Sequence, residues 1–441
     1  MIDTEKYKEA IAFLFSRLPM YQNVGKEAFK SGLDNTHRLS QLYNYPHDEL
    51  KLIHVAGTNG KGSVSHAVAS VLQAQGLNVG LYTSPHLRDY SERIRVNGVC
   101  VENDFVISFV DGLKSLFKDG KIDFSPSFFE ITFLMSLVYF KYKKVDVAVI
   151  ETGLGGEFDS TNIINPMISI ITNIGMDHTH ILGTSLISIA RAKAGIIKPL
   201  IPVVVGRYQK ELAEIFRIKA ESKGARLYFS EQMYELEDKG LSAEYDKRRL
   251  YINDLMASVT YEVYTDLANL CQIENLRTVL AAIKVLNSDC DLNINLSSIK
   301  QGLSSVCSST GLRGRWQVVE HNPLVVLDTA HNEDGIEVLI KQLAQVSYAK
   351  LHVVFGAVAD KDIDGVLSLL PKSASYYFVP AGNDNKRSLS PSELLGIATK
   401  HGLSGESFDS VEEGLARAKK GALSSDLVLA TGSTFVVAEL V

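Results

Sequence analysis

The stretch His54-Val55-Ala56-Gly57-Thr58-Asn59-Gly60-Lys61-Gly62-Ser63 decides the fold. Just before it, Leu52, Ile53 and Val55 make a short apolar run that suits a buried parallel strand. Just after it, Val64, Ala67, Val68, Val71 and Leu72 recur at helical spacing until Gly76. The predicted order is strand, glycine-rich turn, helix. Amides at such a helix start can surround a phosphate, the glycines allow close approach, and Lys61 adds a point charge. Ser63 would then offer a hydroxyl to a magnesium ion. The ordinary phosphate loop, G-x-x-x-x-G-K-[ST], puts that hydroxyl directly after the lysine, whereas here Gly62 intervenes. Taken alone, a glycine-rich turn of this kind also serves as a tight connection.

A chain of 441 residues predicts two domains rather than one ordinary core. Its net charge of −6 argues against a general nucleic-acid binder. Cys100, Cys271, Cys290 and Cys307 form no C-x-x-C pair and show no zinc spacing, so they read as reduced thiols of a cytoplasmic protein. The N-terminus shows no signal-peptide pattern. The longest apolar segment, residues 131–140, is too short to span a bilayer, so no membrane partner is expected.

Working outward, residues 6–18 predict a helix, followed by an irregular segment carrying Asn23, Gly25, Gly32, Asn35 and His37. Residues 78–83 read as a second strand, and Ser84-Pro85-His86-Leu87 opens a polar loop running through E-R-I-R-V-N-G at 92–98. Arg93 and Arg95 flank an apolar residue there, an alternation that also fits an exposed hairpin. Residues 127–140 predict a strongly apolar helix with Glu130 in its first turn, where a carboxylate complements the helix dipole. Residues 145–150 form a near-continuous apolar strand that delivers Glu151 at its carboxyl end, before the turn Gly153 to Gly156. Open α/β sheets bind ligands at that edge, which makes Glu151 a candidate metal partner. The strand at 167–174 ends in Gly175-Met176-Asp177-His178 by the same logic, although a lone histidine there is also a common structural residue. A helix at 186–197 carries Lys193 among alanines and isoleucines, where it could simply snorkel to water. A strand at 201–205, a polar stretch at 208–260 read as a peripheral hairpin region, and a helix at 275–286 complete this half.

Around 304–314 the composition shifts to Ser, Thr and Gly, which reads as a linker. Domains at 1–303 and 314–441, joined by 304–313, follow. In the second, strands at 324–327, 351–355, 376–379 and 427–430 alternate with helices at 333–343, 391–400 and 411–419. The right-handed crossover rule then gives a small, mainly parallel sheet with helices on both faces. The fold class is α/β: a phosphate-loop domain with a mainly parallel sheet, then a smaller Rossmann-like domain.

Together the motifs resemble the folylpolyglutamate synthase and dihydrofolate synthase family of the Mur ligase superfamily. The likeness covers nearly the whole chain. It rests on V-A-G-T-N-G-K-G-S at 55–63, S-P-H-L at 84–87, E-R-I-R-V-N-G at 92–98, F-F-E-I-T at 128–132 and E-T-G-L-G-G at 151–156. It continues in D-S-T-N at 159–162, D-H at 177–178, K-A-G-I at 193–196, G-R-W at 314–316, D-T-A-H-N at 328–332, D-K-D at 360–362 and G-S at 432–433. The family loop carries the same extra glycine. Two departures stand out: Glu157 where the family often has arginine, and Arg313 where it commonly has proline.

The resemblance implies ATP-dependent amide formation between a dihydropteroate or folate carboxylate and L-glutamate, through an acyl phosphate. Such chemistry is mostly positioning and charge stabilisation. By the same likeness Lys61 and the loop amides hold the β- and γ-phosphates. Ser63, Ser84 and Glu151 surround one magnesium ion, and Glu151 with His178 holds a second. Asp328 and Asn332 are nucleotide contacts, His331 lies at the γ-phosphate, and Asn275 and Arg315 reach the same nucleotide. Lys193 is marked as a lysine carbamylated by carbon dioxide. Pro85, His86, Arg93, Phe128, Phe129 and Glu130 outline a folate pocket. Closure of the two domains would exclude water from the acyl phosphate. The expected partners are small molecules only, with the chain a monomer.

Two other readings compete. A cell-wall Mur ligase places a nucleotide-sugar domain ahead of the phosphate loop, and the 56 residues before Gly57 are too few for one. A non-catalytic nucleotide switch would keep the loop but need neither Glu151 with His178 nor D-T-A-H-N.

Overall fold

The structure, a computed structural model, describes residues 4–17, 32–359, 363–382, 385 and 387–441. Asn23, Gly25 and the D-K-D motif at 360–362 lie outside the described residues.

The chain divides into two units. The first holds Met1–Leu236, Ile252–Tyr261 and Glu274–Gly311. The second holds Glu237–Tyr251, Glu262–Ile273 and Leu312–Val441.

The first unit is built on eight strands: β1 (Leu52–Ala56), β2 (Val79–Tyr82), β3 (Ile94–Val96), β4 (Val99–Cys100), β5 (Val147–Glu151), β6 (Ile168–Ile171), β7 (Val203–Val205) and β8 (Leu227–Phe229). Their order is β4-β3-β2-β5-β1-β6-β7-β8. Only β3 runs antiparallel to its neighbours, so the other strands end at one edge. In register, Val55 lies beside Glu151 on one side and Ile170 on the other. That pairing puts the loop after β1, the carboxylate ending β5 and the loop after β6 side by side. β1 is apolar and buried throughout except for one polar residue, His54, which suits a strand covered on both faces.

Helix Lys61–Ala74 follows the loop and is buried from Ser63 to Leu72. Helix Phe128–Tyr142 is apolar nearly all round and packs in the same core. It starts at Ser127, whose hydroxyl accepts from the Glu130 amide while the Glu130 carboxylate accepts from the Ser127 amide. This reciprocal cap satisfies two helix-end donors, and losing it costs about 1 kcal/mol. Residues 34–42, expected to be irregular, form helix Asp34–Leu42.

The composition shift near 304 is not a linker. Helices Leu296–Ser304 and Val306–Thr310 occupy it and pack on Lys61–Ala74. A Cβ on Gly302 would sit 2.5 Å from Val71 Cα, Ser70 donates to the Gly302 carbonyl at 2.7 Å, and Thr310 pairs with His66 at 2.7 Å. Small residues are there because two helix backbones approach closely, and the boundary falls after Gly311.

The polar stretch 208–260 likewise contains more than a peripheral hairpin. Helix Lys210–Ser222 and β8 extend the large sheet, and β9 (Tyr234–Leu241), β10 (Arg248–Asp254) and β11 (Val259–Thr265) form a three-stranded sheet. Within the second unit, fully buried Arg248 donates to the Ala268 carbonyl at 2.8 Å, to Gln342 at 2.8 Å and to Asp238 at 2.5 Å. Trp316 donates through its indole to the Tyr245 carbonyl at 3.1 Å. Those bonds are why residues 237–251 and 262–273 belong with the C-terminal unit, which the composition did not reveal.

That unit's main sheet comprises β12 (Gln317–His321), β13 (Leu324–Leu327), β14 (Leu351–Phe355), β15 (Ser375–Phe378), β16 (Ser404–Ser407) and β17 (Leu427–Thr431). The order is β12-β13-β17-β14-β15-β16, parallel apart from β12.

Candidate active site

The phosphate loop is fastened by the chain that continues β6. Thr58 donates its amide to the Asn173 carbonyl at 2.9 Å, and Asn59 donates its amide to Asn173 Oδ1 at 2.8 Å. Thr172 donates its hydroxyl to the Asn59 carbonyl at 2.6 Å. The Thr58 and Asn59 amides are thus engaged within the protein, and the amides at the helix start, from Lys61 to Ser63, are those without an i−4 carbonyl. This narrows the expected phosphate cradle. Gly60 takes φ +83 beneath Asn275, whose Oδ1 would lie 2.1 Å from a Cβ there, so a side chain would meet both a strained backbone and Asn275.

Lys61 Nζ donates to the carbonyls of Gly57 and Thr58, both at 3.2 Å. Lys193 Nζ donates to the same Gly57 carbonyl at 2.7 Å. At 4% exposure Lys193 is no snorkelling lysine. Burial, with help from Lys61, lowers its amine to about 7, while Asp177 and Asp159 oppose the shift.

Glu151 is 3% exposed, and its Oε2 accepts the Ser84 amide at 3.1 Å. The same carboxylate lies 3.8 Å from where a Gly62 Cβ would stand. Ser63, in the next helical position, is buried. Glu151, Ser84 and the first turn of the phosphate-loop helix therefore meet. No group of three or more His, Cys, Asp or Glu side chains converges among the described residues. A metal ion held here would complete its shell with hydroxyls, phosphate oxygens and water, a hard-oxygen set that suits magnesium.

His178 sits at φ +50, beginning the short helix Thr179–Leu182, with its Nε2 3.7 Å from Asp177 Oδ2. Its loop reaches the phosphate loop where Gly175 donates its amide to the Thr58 hydroxyl at 3.0 Å.

On the substrate side, buried Arg93 donates through Nε to His86 Nδ1 at 2.7 Å and lies 5.2 Å over the Phe128 ring. Burial and the guanidinium push the His86 imidazole down to about 3, so it is neutral. Phe128 is buried and stacks on Phe15 at 5.2 Å. Pro85 is exposed and joined to Ser84 by a cis peptide. A cleft of about 370 Å³ opens beside this group, lined by Tyr7, Lys8, Phe15, His86 and Arg88 among others. Phe129 instead covers Gly153, where a Cβ would come within 2.4 Å of its ring. The Glu130 carboxylate is buried, and its Oε2 accepts the Ser127 amide at 2.6 Å, so it organises the start of this helix.

In the second unit, Asp328 is held by its own turn. It is buried, with Oδ1 accepting the Ala330 amide at 2.9 Å and Oδ2 accepting the Trp316 amide at 2.8 Å and Asn269 Nδ2 at 3.0 Å. Desolvation raises its carboxyl, countered first by Arg315. Asn332 spends Oδ1 capping helix Glu333–Leu343 through the Gly335 amide at 2.9 Å. His331 Nδ1 lies 3.0 Å from the Thr329 carbonyl, and Arg315 is half-buried. These four residues are built around one turn, while Lys61, Lys193, Glu151, Ser84 and Asn275 belong to the first unit.

Sequence reasoning missed Asn173, Thr172 and Asn269. An asparagine directly beyond a strand's carboxyl end was the one available signal.

Two Mur ligase descriptions match: the middle domain over residues 122–284 and the glutamate ligase domain over residues 314–434. The dihydrofolate synthase/folylpolyglutamate synthase of Bacillus subtilis is 31% identical over 98% of both chains. This chain belongs to the folylpolyglutamate synthase/dihydrofolate synthase family. It covers 98% of itself but 50% of a Haloferax volcanii protein named probable bifunctional folylpolyglutamate synthase/dihydropteroate synthase, at 33% identity. Escherichia coli FolC, solved with DHPP and ADP, superposes with TM-score 0.83 at 30% identity, over 98% of this chain and 96% of that one. The family enzyme of Yersinia pestis, solved with AMPPNP and a Mn ion, gives 0.82 at 30% identity, over 98% and 97%. Among the described residues no helix is long and apolar enough to cross a membrane.

Proposed function

We propose that the chain is an ATP-dependent ligase that joins L-glutamate to dihydropteroate and to reduced folates, acting as a cytoplasmic monomer on small molecules. The observation that carries this reading is the convergence of Lys61 and Lys193 on the Gly57 carbonyl beside the strand that ends in Glu151.

A carboxylate is a poor acyl donor because oxide would have to leave. In the proposed reaction a carboxylate oxygen forms a bond to the γ-phosphorus as the bond to ADP breaks. The glutamate nitrogen then attacks the acyl carbon, loses a proton, and phosphate departs with the electrons of the carbon–oxygen bond. Lys61 and the amides from Lys61 to Ser63 bind the phosphates and offset charge growing on their oxygens. Ser63, Ser84, Glu151 and His178 would hold two magnesium ions, which neutralise phosphate charge when bound. Lys193, with an amine near 7, has the neutral fraction that carbamylation by carbon dioxide requires. Its carbamate would replace a cation awkward beside metal with an anionic oxygen pair. Within the second unit, Asp328 and Asn332 shape the turn that carries His331, and the family likeness makes His331 and Arg315 the nucleotide-contact candidates there. His86 and Arg93 orient the pterin-bearing substrate beside Phe128, while Phe129 packs on the Gly153 turn.

The test is phosphate release from ATP with dihydropteroate plus glutamate, and with a reduced folate plus glutamate, with product masses read in each case. A mass gain of one glutamyl unit is expected for both acceptors. No acceptor-dependent phosphate release would support the nucleotide-switch reading instead.

A further inference from the structure

His54 is the one polar residue in β1, fully buried, and burial pushes its imidazole down to about 3. The ring is therefore neutral and carries one N–H. Its Nε2 lies 2.8 Å from the Thr161 hydroxyl, which itself donates to Asp159 Oδ1. A hydroxyl has one proton to give, so Thr161 accepts from His54, and the proton of the ring is on Nε2. Among the described residues Nδ1 has no hydrogen-bond partner. The orientation of the ring is thus set by the single bond to Thr161.

Asp159 passes the constraint on. Its Oδ1 also accepts the Thr161 amide at 3.0 Å, and its Oδ2 accepts the Leu154 amide at 2.7 Å. Leu154 lies in the loop that begins at Glu151, packs Gly153 against the Phe129 ring, and ties the Glu157 amide to the Ala192 carbonyl at 2.8 Å, next to Lys193. Asn162, one residue past Thr161, donates to the carbonyls of Glu157 at 3.0 Å and Gly195 at 3.2 Å. The D-S-T-N segment at 159–162 is therefore a hub. It joins the loop after Glu151 to the helix of Lys193, and His54 is its side-chain link to the strand that launches the phosphate loop.

We propose that His54 is a positioning residue: through Thr161 and Asp159 it holds the Glu151-to-Lys193 loop in register with the phosphate loop. It touches no substrate. The relay shares no bond with the Asn173 and Thr172 contacts that fasten Thr58 and Asn59. Its loss should thus disturb turnover more than nucleotide binding. The effect on turnover rests on the ligase reading above, but the effect on the loop does not.

The experiment compares His54→Leu, His54→Gln and Thr161→Val with the unaltered full chain, by steady-state kinetics and by hydrogen–deuterium exchange over residues 152–158. Gln places an amide N–H near the position of Nε2, whereas Leu has no donor. We expect kcat to fall about 10–100-fold in His54→Leu and Thr161→Val, as for loss of an orienting outer contact. The KM for ATP should stay within about threefold, since phosphate-loop contacts are kept. Exchange over 152–158 should quicken in both, and His54→Gln should recover most of the turnover and the protection. Unchanged exchange in a folded variant, unchanged kcat, or a Gln variant as impaired as the Leu variant would overturn the proposal. If His54→Leu does not fold, the nearly isosteric Thr161→Val decides alone. An unaltered chain without ligase activity, but with the expected exchange changes, would refute the functional reading and leave the relay standing.

Discussion

Lys61 and Lys193, 132 positions apart in the sequence, meet on one acceptor, the carbonyl oxygen of Gly57, at 3.2 and 2.7 Å. Two amines on one carbonyl are tolerable because burial and the neighbouring Lys61 charge move the Lys193 amine down to about 7. Lys193 is thus the member of the pair that can exist neutral.

Lys61→Ala should therefore keep the fold and lower turnover by about 10²–10³, as for loss of one preorganised charge-stabilising group. Circular dichroism with steady-state kinetics checks this. Turnover near that of the unaltered chain would remove Lys61 from the phosphate site.

Lys193→Ala should lose most activity and regain part of it with a short carboxylic acid that fills the vacated space. Activity of the unaltered chain should also fall in carbon dioxide-depleted buffer and return with bicarbonate. Full activity of Lys193→Ala without any additive would rule out the carbamate.

The same lysine imposes a pH dependence on stability. Its folded value is lowered from 10.5 to about 7, so between those limits the unfolded chain binds the additional proton. Stability then rises with pH across that window, and the burial cost is fully felt below about 7. In carbon dioxide-free buffer, Lys193→Met should melt higher than the unaltered chain at pH 6, with the difference shrinking as pH rises. A difference independent of pH would contradict the burial argument.

Gly60→Ala combines a φ of +83 with a Cβ 2.1 Å from Asn275 Oδ1. The left-handed backbone alone costs about 1–2 kcal/mol in a residue with a side chain. A lowered Tm and a raised KM for ATP are expected. Asn275→Ala in the same chain should relieve the clash but not the backbone strain, so only partial recovery should be seen.

Asp328→Asn would replace one carboxylate oxygen with an amino group facing donors from Trp316, Ala330 or Asn269. Leaving a buried donor unsatisfied costs about 1–3 kcal/mol. Thermal denaturation should show that loss, and a Tm unchanged from the unaltered chain would show that the turn does not depend on Asp328.

Sequence alone determined the strand, glycine turn and helix at 52–74, because apolar period and glycine placement are local properties. Helix Glu333–Leu343 and strands Leu324–Leu327 and Leu351–Phe355 fall on the residues that periodicity marked. It also brought Glu151 to the strand edge next to Gly57, since parallel strands in one sheet share their carboxyl ends. Tertiary structure decided how each polar group is spent. The Asn59 amide goes to Asn173, 114 residues away. Glu130 goes to a helix cap, Asp328 to a turn, and Ser309 and Thr310 to a close helix contact rather than a linker. A side chain's chemistry fixes what it can bond to, but the partner that satisfies it is chosen by packing between segments distant in the chain, and no local pattern carries that information.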